Sequence, residues 1–217
     1  MSRVQRTKQF REIVEKEWKQ KFNSFINEYP DKDWNWYIMS KNPNINWDFI
    51  QENLDKPWDW DYVSENPNIT WDIIRENPKT QWNWYQISRN INITWDIIIE
   101  NPDKPWEWNG ISRNPNITMD IVRENPEKPW KWNYISYNPN LTYDIIKENL
   151  DKSWDWDLIS INITMDIIKE NPSEPWNWIC ISYNPNLTWD FIQENPDKPW
   201  DWWEISYKKN ITMDIIL

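Results

Sequence analysis

From residue 31 onward, apolar residues come in short clusters separated by polar stretches rich in Asn, Pro, Asp and Lys. Two kinds of cluster alternate. One is Trp71, Ile73 and Ile74 within Thr-Trp-Asp-Ile-Ile-x-Glu-Asn; the other is Trp58, Trp60, Tyr62 and Val63 within Pro-Trp-Asp-Trp-x-x-Val-Ser. Neither alternates strictly between apolar and polar, as a half-buried strand does. Each reads as a short helix. Thr70 is a good N-cap, and Asp72 lies where the positive end of the helix dipole favours an acid. Asn77-Pro78 stops the element, because the residue before Pro avoids the α region. In the other cluster Pro57 suits the first helical position, Asp59 falls in the first turn, and Asn66-Pro67 is the stop. Glu76 sits in the last turn, where it opposes the dipole. Helices this short do not stand alone, and apolar groups on several sides require several packed neighbours.

Residues 1–30 follow another pattern. Phe10, Ile13, Val14, Trp18, Phe22, Phe25, Ile26 and Tyr29 recur every three or four residues, one apolar stripe on a long helix. The segment carries seven basic and four acidic residues, net +3, against −14 for the remainder, which marks a boundary near Pro30. It predicts an N-terminal amphipathic capping helix, the cover a terminal repeat needs.

The clusters are periodic. Trp-x-Trp occurs at Trp34/Trp36, Trp58/Trp60, Trp82/Trp84, Trp106/Trp108, Trp130/Trp132, Trp154/Trp156, Trp176/Trp178 and Trp200/Trp202. The spacing is 24 residues except for one step of 22. Copies are placed at 31–54, 55–78, 79–102, 103–126, 127–150, 151–172, 173–196 and 197–217. The predicted fold is all-α: an α-solenoid of about eight 24-residue two-helix repeats over 31–217, capped by the helix of 1–30. A β-solenoid is the alternative, since a 24-residue period also suits leucine-rich-repeat geometry. The 22-residue copy has a linker two residues shorter between Ser160 and Asn162.

Composition narrows the function. The 217 residues include no His, one Gly, one Cys and 22 Trp. Without His, the usual general base, Ser-His and Cys-His nucleophile pairs and most zinc and haem ligation are excluded. One Gly excludes Gly-rich phosphate cradles, and Cys180 alone excludes intrachain disulfides. A net charge of −11 makes a nucleic-acid backbone an improbable partner. No run approaches the ~18 apolar residues of a membrane span, and no apolar segment behind the N-terminus reads as a secretory signal.

Several columns suggest chemistry, and each has a plainer account. Seven Asn-x-Thr sequons, at Asn68, Asn92, Asn116, Asn140, Asn162, Asn186 and Asn210, match the glycosylation pattern, yet each Thr reads as an N-cap and each Asn as a turn residue. The Asp column, Asp48 to Asp214, reads as helix-start electrostatics rather than a cation ladder. Trp residues can serve as sugar platforms, but all save Trp18 and Trp203 fall in repeating columns, which favours core. Cys180 stands in a variable column and reads as incidental.

Fixed columns therefore read as scaffold and varied columns as surface. One varied column runs Lys41, Glu65, Arg89, Arg113, Tyr137, Tyr183, Tyr207; another runs Gln51, Arg75, Ile99, Arg123, Lys147, Lys169, Gln193. Tyr and Arg are favoured at protein interfaces, so Arg89, Arg113, Tyr137, Tyr183 and Tyr207 form the candidate partner-binding face. The reading is a non-enzymatic scaffold for protein–protein interaction with no cofactor or metal; the alternative is a carbohydrate- or surface-binding structural component. The chain stops within a helix at Ile215, Ile216 and Leu217, which suggests self-association through an uncapped end.

The motif Asn-Pro-Asn-Ile-Thr-Trp-Asp-Ile-Ile-x-Glu-Asn-Pro-Asp-Lys-Pro-Trp-Asp-Trp resembles the tryptophan-rich tandem repeats encoded in large families by mimivirus-like giant viruses. The resemblance covers 31–217. It implies a repeat protein of a viral family, in the host cytoplasm or the virion, and it carries no catalytic residues over.

Overall fold

A computed structural model describes residues 3–209. These residues form sixteen α-helices and no strand, so the chain is an all-α repeat solenoid rather than a β-solenoid. The helices are α1 (Arg3–Glu28), α2 (Trp36–Ser40), α3 (Trp47–Glu52), α4 (Trp60–Glu65), α5 (Trp71–Glu76), α6 (Trp84–Arg89), α7 (Trp95–Glu100) and α8 (Trp108–Arg113). There follow α9 (Met119–Glu124), α10 (Trp132–Ile135), α11 (Tyr143–Glu148), α12 (Trp156–Asn162), α13 (Met165–Glu170), α14 (Trp178–Tyr183), α15 (Trp189–Glu194) and α16 (Trp202–Ser206). Two compact units result, Met1–Asn116 and Ile117–Leu217. In the first, α2, α4, α6 and α8 pack successively; in the second, α12, α14 and α16 do so. Residues 210–217, and with them the expected open end at Ile215, Ile216 and Leu217, lie outside the described residues.

The Thr-Trp-Asp helices begin as the sequence suggests. Thr70, Thr94 and Thr118 cap α5, α7 and α9, accepting from the N–H three residues on, and an Asp follows in each first turn. They end on an Asn whose own amide reaches back to the carbonyl four residues earlier, as Asn77 Nδ2 does to Ile73 O at 2.8 Å.

The Pro-Trp-Asp-Trp helices begin later than expected. Pro57 and Trp58 precede α4, which starts at Trp60 with Asp59 as N-cap. The Asp59 carboxylate accepts from the N–H groups of Asp61 and Tyr62. Pro57 instead centres a tight turn in which Trp58 N donates to Lys56 O at 2.8 Å. Its fixed φ suits that turn as well as it would suit a helix start. Asn35, Asn83, Asp155, Asn177 and Asp201 repeat the cap.

The core is a set of aliphatic columns and one indole column. Ile45, Ile69, Ile93 and Ile117 are fully buried, as are Val63, Ile87, Ile111, Ile135 and Ile181. The first Trp of most pairs is also core: Trp58, Trp82, Trp130, Trp154, Trp176 and Trp200 are buried, while Trp34 and Trp106 are half-buried. Each of the buried indoles donates Nε1–H to the carbonyl of the helix-ending Asn five residues before it, as Trp58 does to Asn53 at 2.8 Å. The second Trp is not core in the same sense. Trp60, Trp84, Trp132, Trp156 and Trp178 are half-buried, and Trp202 is exposed. Each half-buried ring meets the first Trp of the next copy edge to face, for example Trp60–Trp82 at 5.9 Å and 90° and Trp178–Trp200 at 5.3 Å and 89°. That geometry suits the indole quadrupole and leaves one ring edge to solvent.

The repeats are locked by polar groups as much as by packing. Ser40 Oγ donates to Trp36 O and accepts from Asp59 N of the next copy at 2.9 Å. Ser64, Ser88, Ser136, Ser160 and Ser182 accept in the same way from the N-cap residue 17 or 19 positions on. The first Asn of the Asn-x-Asn turn is buried at Asn66, Asn90, Asn114, Asn138 and Asn184. Asn90 Oδ1 accepts from Asn92 N, while its Nδ2 donates to Ser64 O and Asn66 O of the preceding copy at 2.9 and 3.2 Å. The second Asn also reaches back, Asn92 Nδ2 to Pro67 O and Ile69 O at 2.8 and 2.9 Å. Asn66, Asn68, Asn114 and Asn116 do the same within the first unit.

α1 contacts the first copies through its later residues. Ile26 is buried, Phe22 half-buried, Lys19 Nζ donates to Asn68 Oδ1 at 2.8 Å, and Asn23 Nδ2 donates to Asn46 Oδ1 at 3.3 Å. Phe10, Ile13, Val14, Trp18 and Phe25 of the same stripe are exposed.

Gly110, the chain's one glycine, lies inside α8 and not in a turn. A Cβ there would stand 2.5 Å from Tyr85 O and 2.8 Å from Ser88 Cβ, so α8 lies on α6 at a distance only Gly permits.

Two substitutions test this account. Asn90→Asp keeps shape but replaces the donating amide by an acceptor facing two buried carbonyls. It should lower unfolding free energy in urea by about 3 kcal/mol, while Asn133→Asp on the exposed face of α10 changes it by less than about 0.5 kcal/mol. Gly110→Ala, despite its better helix propensity, should destabilise by about 1–3 kcal/mol through the clash with Tyr85 O. A stabilised variant in the same titration would contradict the close approach.

Candidate functional site

The candidate face lies on the last turns of the Trp-x-x-x-Ser helices and the residues just after them. In the first unit Arg89 ends α6 and Arg113 ends α8, and both are half-buried. Arg89 is paired with Glu65 of the preceding copy at 2.9 Å and donates to Gln86 Oε1 at 3.2 Å. Two copies before Arg89, Lys41 lies over the rings of Tyr37 and Tyr62, 5.0 and 5.1 Å from their centroids. The two phenols share a 2.5 Å hydrogen bond, and their rings meet edge to face at 4.6 Å. That shared bond is the chief reason the Tyr62 phenol is held above its ordinary value. Tyr37 and Tyr62 lie outside both varied columns. Their signal was present, two Tyr 25 residues apart near the starts of successive helices.

In the second unit Tyr137, Tyr183 and Tyr207 are all exposed. The Tyr183 hydroxyl donates to Asp201 Oδ2 at 3.2 Å, and the carboxylate raises the phenol's pKa. Tyr207 rests on Trp203 at 4.7 Å, and both rings remain two-thirds exposed. Tyr137 borders a cleft of about 350 Å³ beside α12. The expected residues thus occupy corresponding places on two separate units, each with its own polar and aromatic neighbours.

The second varied column has a different use. Arg123 makes a two-point contact with Glu148 of the next copy, Nε to Oε2 at 2.8 Å and Nη2 to Oε1 at 3.1 Å. Lys169 pairs with Glu194 at 2.6 Å. The arginine holds the Glu148 carboxyl below its usual range. These contacts give two of the recurring last-turn Glu residues, Glu148 and Glu194, a partner one copy back. Both pairs are exposed, so each contributes little to stability.

The remaining chemical candidates are structurally engaged. The amides of Asn68, Asn92, Asn116 and Asn140 donate to carbonyls of the preceding copy. A glycan on that nitrogen would break the lock. Burial, then Asp157 and Asp155, push the Cys180 thiol up, away from the depressed value of a thiolate nucleophile. Among the described residues no three His, Cys, Asp or Glu side chains gather as a metal group. An open groove of about 890 Å³ beside α1 is lined by Lys19, Asn46, Trp47, Gln51, Asn68 and Glu76 among others, with no nucleophile–base pair. No described helix is long and apolar enough to cross a membrane.

Beside Tyr207, Lys208 takes the column of the buried turn Asn, and its Nζ donates to Asn184 O at 2.9 Å. Burial lowers its pKa, opposed in part by Glu204. No protein-family model, no curated protein and no solved structure matches the chain.

A lowered lysine pKa means that folding disfavours the protonated form. The penalty is fully present below the folded-state pKa. It is relieved as pH rises toward the ordinary value of 10.5, because there the unfolded chain holds more protons. Lys208→Asn restores a neutral amide donor. Its stability advantage over the parent, from paired denaturation curves, should be largest near neutral pH and shrink as pH approaches 10.5. A difference that grows with pH would overturn the assignment.

Proposed function

We propose that the chain is a non-enzymatic repeat scaffold that binds protein partners through the varied polar and aromatic positions at the ends of its Trp-x-x-x-Ser helices. The observation that carries this reading is how completely the fixed columns are used internally. Ser, both turn Asn residues and the first Trp bond a neighbouring element, as at Ser64, Asn90, Asn92 and Trp82, and the helix-ending Asn, as at Asn77, bonds the helix it closes. What projects outward with unused area is the varied set, with Tyr137, Tyr183 and Tyr207 in one unit. Tyr is a frequent interface anchor because it offers a rigid amphipathic ring at small conformational cost. In the other unit, Arg89 and Arg113 supply guanidinium groups at the same place in the repeat. The viral tandem-repeat resemblance agrees with a scaffold and adds no activity.

A sugar-binding surface would need indole faces open to solvent and arranged as a platform. The paired Trp rings lie edge to face instead, at interplanar angles such as 82° for Trp156–Trp176. This favours protein over carbohydrate.

The test compares the parent with the triple variant Tyr137→Ser, Tyr183→Ser, Tyr207→Ser, each shown to be folded by circular dichroism. In quantitative affinity capture the parent should retain a defined set of proteins that the variant loses. Equal retention by both, together with specific binding of the parent to a glycan array, would refute the scaffold reading.

A further inference from the structure

At most steps the Asn-x-Asn turn of one copy covers the turn before it. Asn66 and Asn68 reach the carbonyls of Ser40, Asn42, Pro43 and Ile45. Asn90 and Asn92 reach those of Ser64, Asn66, Pro67 and Ile69. The 22-residue copy has no such turn to offer. Between Ser160 and Thr164 it has three residues where the copy before it has five between Ser136 and Thr142. α12 runs on to Asn162, and the Asn162 amide donates within its own helix, to Leu158 O at 3.0 Å.

The array does not slip to close the gap. Ser136 Oγ still accepts from Asp155 N and Ser160 Oγ from Asn177 N, both at 3.0 Å. Trp156 meets Trp176 edge to face at 5.3 Å, and Asn184 resumes the lock on Ser160 O and Ile163 O. The cleft of about 350 Å³ opens at this step, bordered by Ser136, Asn138, Pro139 and Leu141 on one side and Leu158 and Ile163 on the other. The first four correspond in the repeat to Ser40, Asn42, Pro43 and Ile45, the residues an Asn-Pro-Asn turn covers elsewhere. Solvent reaches the same column: Leu141 and Ile163 are half-buried, whereas Ile45, Ile69, Ile93, Ile117 and Leu187 are completely buried.

We propose that this cleft binds an Asn-Pro-Asn turn presented by a partner protein. The chain itself supplies the argument, because that turn is what fills the corresponding place between regular copies. Its two amides would donate to the carbonyls of Ser136, Pro139 and Leu141, and its proline ring would cover Leu141 and Ile163. The volume lies at the lower end of the range for ligand pockets, the right scale for a short turn rather than a helix. The proposal rests on the scaffold reading above and gives it one defined site.

The probe is the capped peptide Ser-Tyr-Asn-Pro-Asn-Leu-Thr, titrated by calorimetry into the full chain. It should bind the parent, and the peptide with both Asn replaced by Asp should bind at least about tenfold more weakly, since two donors are lost. Inserting Asn-Pro between Ile161 and Asn162 restores the 24-residue spacing. That variant should lose peptide binding and melt at a higher temperature. Leu158→Trp, which fills the cleft from α12 at unchanged length, should also lose binding. Equal affinity for both peptides, equal binding by the parent and the cleft-filled variants, no binding by the parent, or concentration-dependent self-association that the insertion abolishes would each overturn the proposal. Should the peptide fail while the Tyr variant still loses its partners, this site is wrong and the scaffold reading stands.

Discussion

A helix of six residues leaves most of its own N–H and C=O groups without intrahelical partners, and this protein is assembled almost entirely from such helices. Each end must be satisfied from outside, or the buried groups are left unpaired at about 1–3 kcal/mol apiece. The repeat solves this with four residue types. At most of the helices a Thr, Asp or Asn side chain caps the start, an Asn closes the end, and a Ser binds the cap residue of the next copy. A buried Asn binds the turn of the copy before. The 24-residue period is the spacing at which those bonds meet.

The same constraint explains the aromatic content. A short helix offers little apolar area, so each contact must be large, and an indole buries more than any aliphatic chain. Trp also carries one donor, and here it is used: the first Trp of each pair reaches the carbonyl of the helix-ending Asn, as Trp200 does to Asn195 at 2.8 Å. The column of Trp71 needs bulk but no donor, and it accepts Met119, Tyr143 and Met165. Tyr143 shows the limit of that tolerance. Its hydroxyl is buried without a hydrogen-bond partner, and burial raises its pKa.

Periodicity, the Thr caps, the Asn-Pro stops and the all-α class were legible in the sequence because each follows from local chemistry. What was not legible depends on the neighbouring copy. Asn66 and Asn68 look like turn residues, and they are; nothing local says that their amides reach a carbonyl row some 24 residues earlier. Trp60 repeats as faithfully as Trp58, yet only Trp58 is fully buried, because repetition marks a conserved contact and not a depth. Pro57 misled for a physical reason, since one φ value serves both a helix start and a tight turn. Two of the recurring last-turn Glu residues, Glu148 and Glu194, meet Arg123 and Lys169 of the copy before, which no single repeat reveals. Of the candidate face, the column was readable, but the pairing of Arg89 with Glu65 and the Tyr37–Tyr62–Lys41 cluster required the helices to be placed beside one another.

An array stabilised by neighbour-to-neighbour bonds responds to sequence change locally. Deleting two residues from one linker removes one turn's amides and leaves the Ser and Trp contacts on both sides in register. In a fold with a single shared core, the same deletion would shift every later contact. Here it opens a cleft against the turn before it, while the Ser and Trp contacts of the scaffold around it are kept. A repeat of this design can therefore acquire a binding site in two ways. It can vary an outward column, as proposed for Arg89 and Tyr183, or omit an inward-facing turn, as proposed for the step at Asn162. On that proposal the second route has a built-in specificity, because the site would be shaped by the very segment it lacks.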